Sequence, residues 1–189
     1  MHRNLLLNLL ENYQPVDPNE IEARARMLGF VKTNPNCFDR ELLQGHITAS
    51  AWLLNKDQTK ALLLHHAKLN VWCQLGGHCD GDSNVLQVAI KEAQEESGIN
   101  GIEPLSTDIF DIDIHAIPEY NNIPAHYHYD VRFLLQVQSD EKVIGNNESK
   151  DIRWFALDSQ LPTNAESIHR MFRKWQAFQK KKLVKVLVS

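Results

Sequence analysis

From His46 to Asn55 the chain is dense in apolar and small residues, and it reads as a buried strand. Lys56-Asp57-Gln58 reads as a turn and Ala61 to His66 as the returning strand. The pattern before this pair is helical. Asn4 to Tyr13 forms an amphipathic run that stops before Pro15. Asp17-Pro18-Asn19-Glu20 has the form of a helix start: Asp17 can cap, Pro18 suits the first helical position, and Glu20 stands where a capping acid reaches back. This second helix is expected to run to Met27 and to end at Gly29, before the loop signal Asn34-Pro35-Asn36. Further on, Asn84 to Ser97 reads as a helix closed by Gly98, the expected left-handed terminator. Phe110 to Ala116 and Tyr127 to Val137 read as strands joined by a loop holding Pro118, Asn121-Asn122 and Pro124. Asp151 to Phe155 is a short strand, and Ala165 to Lys182 a final helix with a basic end. The order predicts an α+β fold, a mixed β-sheet with helices packed on it in one domain. Residues 1–41 are expected to form an N-terminal helical extension and 42–189 the main domain.

Composition adds exclusions. The 189 residues suit one domain with a real core. A hydrophobic share of 43% and a charged share of 23% exclude a disordered or fibrous chain. Twenty Lys+Arg against 24 Asp+Glu give 20 − 24 = −4, which argues against nucleic acid as the main partner. No apolar run approaches the ~20 residues of a membrane helix, so no membrane role is expected. The N-terminal leucine run is broken by Asn8 and followed by Glu11, unlike a secretory signal. Cys37, Cys73 and Cys79 form no CxxC pair, and a reducing, cytoplasmic setting is the expectation.

Chemistry concentrates in two places. The first is Gly76-Gly77-His78-Cys79-Asp80-Gly81-Asp82-Ser83 with the helix that follows. There Glu92, Glu95 and Glu96 stand at i, i+3 and i+4, so three carboxylates share one helix face while Leu86, Ile90 and Ala93 form a separate apolar row. Like charges so close repel unless a cation sits between them, and hard divalent ions such as Mg²⁺ take carboxylate oxygens. Clustered Glu on a helix is otherwise an ordinary solvated face. The glycine-rich turn before the helix lets a ligand approach the backbone.

This segment resembles the signature box of the Nudix hydrolase superfamily. Gly77, Glu92, Glu95, Glu96, Gly98 and Ile99 match it directly. Lys91 stands where the family has Arg, Ala93 is smaller than the usual aliphatic residue, and Ser83 replaces the first Glu. Those departures touch the bracing of the loop and helix; Asp80 or Asp82 could partly stand in for the missing acid. The resemblance implies a Nudix fold, an α/β/α sandwich with a mixed β-sheet, and a metal-dependent hydrolase that cleaves the diphosphate linkage of a nucleoside diphosphate joined to a moiety X, or of a similar small molecule. It implies Mg²⁺ or Mn²⁺ held by Glu95 and Glu96, with Glu92 a ligand or the base. Gly76, Gly77 and His115 are candidate substrate-binding residues.

The second place is the histidines, nine in all. In Ala125-His126-Tyr127-His128-Tyr129-Asp130 a strand puts His126, His128 and Asp130 on one face and both tyrosines on the other. Asp111, Asp113 and His115 alternate likewise with Ile112 and Ile114. Grouped imidazoles suit transition metals, although a single His more often is a satisfied hydrogen-bonding residue. A partial resemblance to the isopentenyl-diphosphate isomerase branch of the superfamily points the same way: it implies a second metal site from His46, His78, His126 and His128, with an additional transition metal. Protonated His could alternatively hold substrate phosphate. Isomerase chemistry is disfavoured, since Gly76 occupies the position of the isomerase's reactive cysteine. A prenyl-diphosphate isomerase-like enzyme and a catalytically silent ligand-binding module are therefore the rival readings, the second weakened because Glu92, Glu95 and Glu96 are all retained. The expected partner is a small-molecule diphosphate, and a homodimer is compatible.

Overall fold

The computed structural model describes residues 2–146 and 149–188. In chain order the elements are α1 (Asn4–Asn12), α2 (Pro18–Thr33), β1 (Gly45–Leu54), β2 (Lys60–His66), β3 (Trp72–Cys73), β4 (Leu75–His78), α3 (Val85–Ser97), β5 (Ile102–Pro104), β6 (Asp111–Ile117), β7 (His126–Val137), β8 (Ser149–Ala156) and α4 (Glu166–Val188). The eight strands make one mixed sheet. β1 runs parallel to β7, and the other pairings are antiparallel.

Alternation along the strands divides the core in two. Ile47, Ala49, Ala51 and Leu53 of β1, with Val131, Phe133 and Leu135 of β7, pack under Leu6, Leu10, Met27 and Val31 of α1 and α2 and under Val85, Ala89 and Ala93 of α3. On the opposite face Trp52, Leu54, Leu63 and Leu134 meet Ile168, Met171, Phe172 and Trp175 of α4. His46, Thr48, Ser50, His126, His128, Asp130 and Arg132 lie on this second face by the same period of two.

Several expected boundaries move. α2 continues through Gly29 to Thr33, because Phe30 and Val31 are buried and their packing outweighs one helical glycine. Its start follows the expected chemistry: the Asp17 side chain accepts from the Glu20 N–H at 3.0 Å, and Glu20 reaches back to the Val16 N–H at 2.8 Å. Gly76-Gly77-His78, expected as a turn, is instead strand β4, paired with β1 from Thr48 to Ala51. Glycines carry no hydrophobic period, so this strand is defined by its partner and not by its own pattern. The short strands β3 and β5 were likewise not expected, and α4 extends past Lys182 to Val188.

A buried ionic network ties the chain's two ends to the sheet. Asp111 of β6 is fully buried and accepts from Arg170 twice at 2.8 Å, from Lys174 at 2.9 Å and from Arg132 at 3.2 Å. Lys174 also binds the buried Glu20, which accepts from the Tyr13 hydroxyl.

Candidate functional site

Gly45 opens β1 with φ +147°, and a Cβ there would stand 2.5 Å from the Tyr127 carbonyl oxygen. That close approach seats β1 on β7 with His46 opposite His128. β6 places His115 opposite His128 on its other side, and β4 places His78 opposite Thr48. A row of imidazoles therefore crosses three strands, His115–His128–His46, with ring centroids 5.4 Å and 4.8 Å apart. His78 lies 5.0 Å from both His46 and His128, and His126 lies 5.1 Å and 5.2 Å from them. One ligand nitrogen each from His46, His78 and His128 falls within 4.8 Å of the others, and among the described residues this is the one group of three that converges so closely. His126 sits at its edge, with Nδ1 2.8 Å from the Pro124 carbonyl oxygen. His115 has Nδ1 3.3 Å from Asp113.

The electrostatics favour the neutral form of His46, His78 and His128. Burial, then the neighbouring imidazoles His78 and His126, push His46 down to about 4. The same causes take His128 down to about 2, and burial lowers His78 as well. Burial pushes the Cys73 thiol up to about 12 and raises Cys79, so neither cysteine flanking β4 offers a thiolate.

Beneath the imidazoles lies a hub that sequence reading missed. Asp130 accepts from Thr48 at 3.0 Å, Ser50 at 2.7 Å, Gln74 at 3.1 Å and Arg132 at 2.7 Å. The signal for it was the polar Thr48 and Ser50 inside an otherwise apolar strand. Arg132, which by charge alone could have been a phosphate partner, is fully engaged by Asp111, Asp113 and Asp130 and is 2% exposed.

On the other face of β4 stands α3. The Asp82 carboxylate accepts from the Asn84 N–H at 2.8 Å at its start, and Gly98 in the left-handed region (φ 71°) closes it. Glu96 is 6% exposed, and its Oε2 accepts from the Gly76 N–H at 2.8 Å. Glu92 lies against Gly77, where an added Cβ would come within 2.4 Å of its Oε2. Glu95 is half exposed and pairs with Lys91 at 3.6 Å. Glu92 and Glu96 thus meet the backbone of β4, while Glu95 faces outward on the same helix face. Asp80, a candidate stand-in for the missing box acid, is paired instead with Arg40, whose Nε lies 2.5 Å from its Oδ1. The loop before α3 is therefore braced from the segment preceding β1.

The two glycines separate two effects. A Cβ at Gly76 would stand 2.3 Å from Ser50 Oγ and 2.7 Å from the Ala49 carbonyl oxygen. Gly76→Ala is expected to destabilise the fold by about 1–3 kcal/mol, as overpacking against backbone does. Gly77→Ala meets only the end of the Glu92 side chain. It is expected to unfold close to the wild-type midpoint while losing most of its activity. Urea unfolding of both variants beside a turnover assay checks this contrast.

Comparison with known proteins fits this geometry. The model of the NUDIX domain matches residues 45–176. The Ap4A hydrolase of C. elegans, solved as a binary complex, superposes with a TM-score of 0.57 at 20% identity, over 71% of this chain and 98% of its own. The MutT protein of Methanosarcina mazei Go1 gives 0.57 at 19% identity, over 74% and 98%. The NUDIX domain of Shewanella oneidensis NrtR, complexed with ADP ribose, gives 0.50 at 18% identity, over 77% and 93%. No curated protein sequence matches the chain. The chain belongs to the Nudix family and has its α+β fold, preceded by N-terminal helices. Among the described residues no helix is long and apolar enough to cross a membrane.

Proposed function

We propose that the protein hydrolyses the phosphoanhydride linkage of a small nucleoside diphosphate joined to a moiety X, using Mg²⁺ or Mn²⁺ held by Glu92, Glu95 and Glu96. The observation that carries this reading is the contact of Glu92 and Glu96 with the side-chain-free backbone of Gly77 and Gly76. The carboxylates suit a hard divalent ion, since oxygen ligands on one helix face leave positions for water and phosphate oxygens. Such an ion, when bound, offsets phosphate charge and orients the diphosphate for attack by water. The chain's own residues do the rest. Gly76 and Gly77 let Ser50 and the Glu92 carboxylate pack directly against the backbone of β4, which fixes Glu92 beside the strand. Glu96, tied to the Gly76 N–H, holds its carboxylate in one place. Glu92, partly buried against Gly77, is the candidate acceptor for the proton of the attacking water, whose oxygen joins phosphorus as the anhydride P–O bond breaks.

The Ap4A hydrolase and ADP-ribose-bound neighbours support a nucleotide-derived substrate by fold alone. The three cysteines are free, which agrees with a reducing, cytoplasmic setting. Residues 1–41 are proposed as an extension of a hydrolase domain spanning 42–189, although α1 and α2 share its core. The test is a panel of nucleotide, sugar-nucleotide, coenzyme and prenyl diphosphates with Mg²⁺ or Mn²⁺, scored by phosphate release through a coupled phosphatase. Turnover of a nucleotide derivative is expected. No turnover across the panel would favour a silent binding module.

A further inference from the structure

We infer that His46, His78, His126 and His128 form an all-nitrogen site for a borderline divalent transition metal, separate from the carboxylates of α3. The imidazoles are poorly satisfied by the fold. His46 is 2% exposed, and among the described residues neither ring nitrogen makes a hydrogen bond of normal geometry, although the Leu42 backbone interacts with the ring. His128 Nε2 is buried and unpartnered in the same way. A buried polar atom left unsatisfied is costly, and these atoms lie in one cluster. Hydrogen bonding within the fold therefore leaves these rings poorly met, whereas a cation would take the one lone-pair nitrogen that each neutral imidazole carries.

The tautomer of the fourth ring points the same way. His126 Nδ1 lies 2.8 Å from the Pro124 carbonyl oxygen. A carbonyl only accepts, so Nδ1 carries the proton and Nε2 keeps its lone pair. That is the outer hydrogen bond by which proteins orient metal-binding imidazoles. His126 has its ring 5.1 Å from His46 and 5.2 Å from His128, at the edge of the three that converge, from where a small side-chain shift brings it onto a shared ion.

The strands around the imidazoles offer no uncommitted carboxylate among the described residues. The nearest carboxylates along these strands are already engaged: Asp130 by Thr48, Ser50, Gln74 and Arg132, and Asp113 by Arg132 and Arg170. Four imidazoles without a carboxylate favour Zn²⁺, Co²⁺ or Ni²⁺ over Mg²⁺. The same fold would then keep two chemically different metal sites on opposite faces of β4.

The test uses the full chain, stripped of metal and titrated with Co²⁺, followed by visible absorption and calorimetry. One equivalent binding with nitrogen-ligand absorption bands is expected, with Zn²⁺ competing and millimolar Mg²⁺ not displacing it. His46→Gln and His128→Gln, each shown by circular dichroism to be folded, should lose at least about 100-fold in affinity, the upper end of what disturbing a metal's surroundings costs. His126→Ala should weaken binding by about 10-fold or more. Glu96→Gln should leave the Co²⁺ bands unchanged, which separates this site from the proposed hydrolytic one. Absence of stoichiometric Co²⁺ binding, bands that vanish in Glu96→Gln but persist in His46→Gln, or tight binding of inorganic phosphate to a metal-free protein that ignores Co²⁺ would each overturn the inference.

Discussion

Glu96→Gln is expected to lower turnover of a nucleotide diphosphate substrate by more than about 100-fold, the scale on which a group acting at reacting charge is felt. The substitution keeps the shape of the side chain and removes its charge. Glu96 is buried beside β4, and its Oε2 accepts the Gly76 N–H at 2.8 Å. The amide oxygen of Gln can still accept that bond, so unfolding midpoint and secondary structure should change little while the hard ligand is lost. Steady-state kinetics at several Mg²⁺ and Mn²⁺ concentrations checks this. Wild-type turnover in the variant would remove Glu96 from the site. Glu95 provides an internal contrast, since its carboxylate is 56% exposed and held by Lys91. A loss smaller than that of Glu96→Gln is expected for Glu95→Gln.

The second large effect is on stability. Removing the Asp111 carboxylate with Ala leaves Arg132, Arg170 and Lys174 without their shared partner in a buried position. Breaking a buried ion pair in this way costs about 3–5 kcal/mol. At about 2–4 °C per kcal/mol for a domain of this size, the melting temperature should fall by roughly 10 °C. Calorimetry or thermal circular dichroism measures it, and an unchanged transition would show that the network does not hold α2 and α4 to β6. The pH dependence has a definite sign. Burial pushes the Asp111 carboxyl up, but the Arg170 hydrogen bonds and then the Arg132 and Lys174 charges outweigh it and hold the group below the usual carboxylate range. The unfolded chain then binds the proton more readily, so stability rises with pH across this window. Its contribution is fully present above the unfolded value of about 3.9 and is lost as pH falls through the lower folded value. Wild-type protein should therefore lose stability on acidification below about pH 4 more steeply than Asp111→Ala.

Much of the architecture was legible before any coordinates. The apolar runs of β1, β2 and β7 announce buried strands, and the Asp17-Pro18 and Gly98 signals mark helix ends that the structure keeps. The Gly76–Gly77 strand was not legible, because glycine shows neither a hydrophobic period nor a strand preference. Its conformation follows from pairing with Thr48 to Ala51, residues more than twenty positions earlier. Gly29 misled for the opposite reason. A local stop signal worth under about 1 kcal/mol was overridden by the burial of Phe30 and Val31.

For the candidate sites the division is similar. The helical spacing of Glu92, Glu95 and Glu96 put three carboxylates on one face, because a turn of 3.6 residues does so in any context. The strand period put His126 and His128 on one side, for an equally local reason. What these groups meet was decided only by tertiary structure. Parallel registration of β1 on β7 brings His46 opposite His128 across 82 residues of chain, and β4 then delivers His78 between them. The same packing assigns Arg132 to a buried network and Asp80 to Arg40, where charge alone could not choose between partner and ligand. Periodicity is a property of neighbouring residues, so the sequence determined which side chains share a face. Convergence depends on which strands adjoin and in what register, and that is fixed by how the whole sheet buries its two cores.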